Sequence, residues 1–166
     1  MPEMTLLGWF HTVMGIAAVL TGFYAVITHK VVSLTQSSGR IYAGLTLIVA
    51  ASAFGIYNQG GFGIAHILAL LTLAALGCGV VMEKMRPLGT ASKYLQALGY
   101  TSTLLFHMIP AITDFLRRLH IGDPFIDSFD DPLLKQFHLA FLLAFFVGLL
   151  AQLVWLSKQG AEPVPA

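Results

Sequence analysis

In the apolar stretch "TLLFHMIPAITDFLRR", residues 103–118, two side chains can titrate or ligate: His107 and Asp114. They are seven residues apart, which is two turns of a helix and places both on one stripe. An imidazole and a carboxylate inside hydrocarbon can bind a metal, pass protons or fasten helices together. Three more histidines, His11, His66 and His138, stand in other apolar stretches. None has a partner at HxxxH or HExxH spacing, so any shared chemistry must be assembled between segments.

The 166-residue chain is 57% hydrophobic and 10% charged. Soluble domains carry roughly 25% charged residues, so this is membrane-protein composition. A net charge of +1 offers no footprint for nucleic acid. The lone cysteine, Cys78, excludes an internal disulfide and reads as an inert buried thiol. The opening "MPEMTLLGWF" lacks the basic residues of a secretory signal, so the first apolar segment is expected to remain as a span.

Five segments have the length and apolarity of membrane spans, at 5–28, 39–57, 61–83, 94–119 and 134–157. They are too long and too continuously apolar for barrel strands. The prediction is an all-α integral membrane bundle of five transmembrane helices, one domain over 1–158 with a flexible tail at 159–166. Ser37 or Ser38 is expected to cap the second helix, and Pro110 to kink the fourth beside His107. Trp9 and Trp155 mark opposite interfaces.

Lys30, Arg40, Lys84, Arg86, Lys93 and Lys158, six of the nine basic residues, flank loops 1–2 and 3–4 and the chain end. The positive-inside rule then puts the N-terminus outside and the C-terminus in the cytoplasm, with a bacterial inner membrane as the expected location. The acidic loop 120–132, with Asp123, Asp127, Asp130 and Asp131, falls outside. It reads as a solvated face or as a docking patch for a membrane or basic periplasmic protein. Its aspartates lack the spacing of a calcium loop.

Counting along these spans places His11, His66 and His138 roughly 6–9 Å below the outer boundary, with Asp114 in the same layer and His107 about 10 Å deeper. Tyr57 and Asn58 lie at the outer end of the second span. Below His11 the helix face is small: Gly15, Ala18 and Gly22. Such a face admits a flat macrocycle or another backbone. Arg117, Arg118, His120 and Lys135 ring the outer edge.

The segments "FHTVMGIAAVLTGFYAV" at 10–26, "SSGRIYAGLTLIVAASAF" at 37–54 and "GGFGIAH" at 60–66 follow one another in an order that resembles an uncharacterised family of small bacterial multi-helix integral membrane proteins. The resemblance covers residues 8–85. It implies a multi-helix membrane fold with intramembrane histidines, and no established reaction. Where that family carries a histidine before its Gly-Arg-x-Tyr element, this chain has Ser37 and Ser38.

Three functions fit these residues. The leading expectation is a b-type haem held by His11, His66 and His138 in pairs, with room at Gly15 and propionates facing Arg117 and Arg118. It would carry electrons between quinol and a periplasmic partner. The second is a Zn, Cu or Fe site drawn from His11, His66, His107, His138 and Asp114, with zinc able to activate water near the headgroups. Few polar residues stand ready to support such ligands: Thr12, Thr72, Thr113 and Gln136. The third is a non-enzymatic role as an assembly subunit, small transporter or proton relay.

Overall fold

The computed structural model describes residues 4–57, 61–118 and 124–159. The chain forms five α-helices: α1 (Leu6–His29), α2 (Ser37–Ala53), α3 (Ile64–Lys84), α4 (Ser92–Arg118) and α5 (Pro132–Lys158), with one 3₁₀ turn at Gly89–Ala91. Each starts and stops for a local reason. Thr5 caps α1 by accepting the Gly8 N–H at 3.1 Å. Asp131 caps α5, and Pro132 occupies the first turn, where its missing N–H costs nothing. α1 ends at Lys30, whose φ of 71° turns the chain. The Lys30 N–H closes on the Val26 carbonyl, and its Nζ donates to the Ile27 carbonyl at 3.1 Å.

Two expectations shift. Gln36, not Ser37 or Ser38, takes the N-cap position of α2, and its side chain makes no capping bond. α2 also stops at Ala53 instead of running to 57. The N–H groups of Phe54, Gly55 and Ile56 bond back to Ala51, Ser52 and Ala53, which tightens the last turn and ends the helix.

The helices form a ring of four. α1 packs on α2, α2 on α3, α3 on α4 and α4 on α1, while α5 lies outside against α4. The closest approach is between α3 and α4. A Cβ on Gly99 would sit 2.7 Å from the Ala75 carbonyl oxygen, so only glycine lets these backbones meet. The central core gathers Ala18, Ala25, Tyr42, Leu76, Tyr100 and Leu104.

Buried and exposed faces are reversed relative to a water-soluble bundle. α4 turns Ser92, Lys93, Gln96, Thr101, Thr103 and His107 inward. α5 exposes Leu139, Leu143, Phe146, Val147, Leu150 and Val154. α1 exposes Leu6, Val13, Ile16, Leu20 and Ile27. Apolar surfaces of this extent suit lipid, not water. α1, α3 and α5 are long and apolar enough to cross a membrane. α2 and α4 carry more polar residues because they supply the polar lining of the interior.

Candidate functional site

Hydrogen bonds identify one end of the bundle. Ser33 Oγ and the Leu34 N–H both donate to Glu83 Oε1 at 2.7 Å, and Tyr100 OH donates to Oε2 at 2.8 Å. Gln96 donates to the Val32 carbonyl at 3.1 Å, and Gln152 to the Lys30 carbonyl at 2.9 Å. Thr101 Oγ1 donates to Gln152 at 2.6 Å, and Lys93 Nζ to the Leu156 carbonyl at 2.8 Å. The 1–2 connection, the end of α3, the start of α4 and the end of α5 therefore meet in one knot, as alternating helices require. Val31, Val32 and Ser33 are buried there. A Cβ on Gly39 would lie 2.0 Å from the Ser33 carbonyl oxygen, so α2 must present glycine to this connection.

A polar stripe runs from this knot between α2 and α4. Tyr42 OH and Thr103 Oγ1 are hydrogen-bonded, and Thr103 donates its own hydrogen to the Tyr100 carbonyl at 2.7 Å. Tyr42 is therefore the donor in that pair. One turn further, His107 Nε2 meets Thr46 Oγ1 at 3.1 Å, with the Tyr42 ring edge-on at 6.3 Å. Thr46, Thr103 and His107 are all buried. Residues 42, 46, 100, 103 and 107 recur at helical spacing, the signal by which this stripe is readable in the sequence.

Across the interior, His11 Nδ1 lies 2.9 Å from Ser52 Oγ. Ser52 spends its hydrogen on the Val49 carbonyl, also at 2.9 Å. The serine oxygen must then accept, so the neutral His11 ring carries its hydrogen on Nδ1 and keeps a lone pair on Nε2. His11 is near enough to both His107 and Asp114 to feel their charge. Below His11 the α1 face changes character. A Cβ on Gly22 would strike Leu104 and Tyr42 at 2.6 and 2.7 Å, whereas a Cβ on Gly15 would meet nothing within 4 Å. Gly22 serves contact, and Gly15 leaves space one turn from His11.

The other expected residues go elsewhere. His66 Nδ1 accepts the Gly63 N–H at 3.1 Å, closing the first turn of its own helix. His138 Nε2 faces Thr113 Oγ1 at 3.3 Å on the α4–α5 side, and Thr113 donates to the Ile109 carbonyl. Asp114 is not enclosed. Its side chain is 60% exposed and pairs with Arg118 at 3.7 Å. The physical reason is register: with Tyr42 beside Thr103 and Thr46 beside His107, the last residue of α2, Ala53, stands level with Asp114. At 1.5 Å per residue the last turn of α4 rises about 6 Å beyond the end of α2.

Arg117 lies 4.2 Å from the Phe129 ring centre. In the acidic loop, Asp130 pairs with Lys135 at 2.9 Å and Asp131 caps α5, so two of its carboxylates are committed within the chain. Cys78 is partly exposed, not enclosed. Asn58, His120, Asp123 and the tail from residue 160 lie outside the described residues. Among the described residues, no three His, Cys, Asp or Glu side chains gather closely enough to hold a metal ion. The hydrogen-bond partners of the three histidines differ: His11 meets Ser52, His66 the Gly63 N–H and His138 Thr113. The two imidazoles that share an interior are His11 and His107.

The chain was compared with protein families, curated proteins and solved structures, and it matches none of the three.

Proposed function

We propose that this is a five-span membrane protein whose α1–α2–α4 interior relays protons. The observation that carries the reading is the His11 ring, anchored through Nδ1–H on Ser52 and left with a lone pair on Nε2. A neutral imidazole with one nitrogen donating and the other open accepts a proton without moving its anchor. His107, Thr46, Tyr42 and Thr103 supply groups that donate and accept in turn along the stripe. Asp114 and Arg118 stand at its outer mouth. Six basic residues toward the Glu83 end favour that end as cytoplasmic and the N-terminus as outside. A bacterial inner membrane fits this orientation.

The test is proton flux. Reconstitute the protein in vesicles enclosing a pH-sensitive dye, impose a potassium diffusion potential and follow the internal pH. Wild type should conduct above empty vesicles, and His11→Leu and His107→Leu should not. Flux equal to that of empty vesicles, or unchanged in both variants, removes the relay.

A second reading is favoured by the same lone pair. His11 Nε2, with Nδ1–H anchored on Ser52, is arranged as imidazoles are when they ligate iron or another metal. A visible spectrum of the purified protein with metal analysis separates the two: a Soret band lost in His11→Leu supports haem, and bound zinc, copper or iron without that band supports a metal site.

A further inference from the structure

His66 is the buried histidine that the relay does not use. Its residue is 3% exposed. Tyr57 and Phe62 cover its ring, each with centroids 4.9 Å away and tilted by 33° and 24°, and Phe54 lies at 6.2 Å. The Gly63 N–H fixes Nδ1 as an acceptor, so the neutral ring carries its hydrogen on Nε2. That Nε2 is buried and has no hydrogen-bond partner among the described residues. His11 and His66 are thus opposite tautomers: one keeps a free lone pair, the other a free donor.

A buried donor without an acceptor is rare and needs an explanation. The rings over His66 are themselves accessible: Tyr57 is 57% and Phe62 61% exposed. Both lie in the irregular segments on either side of the α2–α3 connection, outside the packed helices. They can swing aside without disturbing the bundle core. The missing partner must accept a hydrogen bond, be apolar enough to reach a lipid-facing site, and offer a flat face to two aromatic rings.

We propose that His66 Nε2–H, flanked by Tyr57 and Phe62, is a binding site for a ring carbonyl of a membrane-soluble quinone. The carbonyl oxygen takes the Nε2 hydrogen bond, and the quinone ring stacks against the two aromatic side chains. The site needs nothing from His11 or His107 and is independent of the relay.

Two variants isolate the donor. A glutamine or a glutamate at this third helical position can each accept the Gly63 N–H, so both retain the cap. His66→Gln keeps an N–H to offer, whereas ionised His66→Glu has none. Titrate a decyl-tailed benzoquinone into the protein in phosphatidylcholine nanodiscs, subtract empty discs, and read saturable quenching of tyrosine and tryptophan fluorescence. Wild type should saturate, His66→Gln should bind within about threefold, and His66→Glu should bind at least about tenfold more weakly at unchanged helix content. Absence of saturable binding in wild type, or equal affinity in His66→Glu, overturns the proposal. So does a phospholipid retained in native mass spectra of wild type but not of His66→Glu in a preparation that fails to bind quinone, since the donor then belongs to a lipid ester carbonyl. Proton flux in both variants should equal wild type, so this outcome is read apart from that of the relay.

Discussion

Around Glu83, one carboxylate answers three donors from two segments of chain, and amides, a lysine and a threonine tie the neighbouring connections to it. Around His11, His107 and His66, each imidazole spends one nitrogen on a neighbour. His11 keeps a lone pair and His66 a hydrogen in reserve. Both regions bury polar groups in an apolar bundle, where leaving them unpaired is expensive. Saturated valences fix a structure, and spare ones remain for something else. The first region should therefore answer to stability measurements and the second to functional ones.

The sharpest break is Glu83→Leu, which strands the Leu34 N–H and the Tyr100 hydroxyl and leaves the Ser33 hydroxyl with Thr35 alone. At about 1–3 kcal/mol for each unmet buried donor, a loss of about 4 kcal/mol is expected. Unfolding in mixed micelles measures it, and a variant as stable as wild type would show that this carboxylate holds nothing. Gly39→Ala comes next, at about 3 kcal/mol, because its Cβ meets backbone that cannot rotate away. The same measurement on Gly15→Ala should show almost no change, since that position is open. Tyr42→Phe removes one donor from Thr103, for about 1 kcal/mol. His11→Leu and His107→Leu should each cost below about 1 kcal/mol, yet these should abolish proton flux. Large destabilisation by either histidine variant, with flux intact in the folded fraction, would erase the distinction between the two ends.

Much of this architecture is legible in the sequence because hydropathy reports length. The first span expected at 5–28 is α1 at Leu6–His29, and the last at 134–157 is α5 at Pro132–Lys158. Height along each helix is legible too, since it is a count of residues. Direction is not. Each residue turns a helix by about 100°, so an uncertainty of two residues in a neighbour's placement changes which side chains face each other. His138 therefore falls to Thr113, and His66 to its own first turn. The His107–Asp114 stripe is real as a helical face. Its outer part is exposed where α2 ends, at the level of Asp114, in the turn over Ser52–Gly55. Glu83 is hidden for another reason. Read as one charge among several in a loop, it carries no mark of the two segments that converge on it.

The position of α5 bears on how the chain is made. Helices one to four close their ring without it, and it follows them in the chain. Until then the Lys30 carbonyl, the Thr101 hydroxyl and the Lys93 ammonium lack the partners that Gln152 and Leu156 bring. α5 acts as a latch across that ring. A quality-control protease that samples nascent membrane proteins would find its opening in the interval before that latch drops.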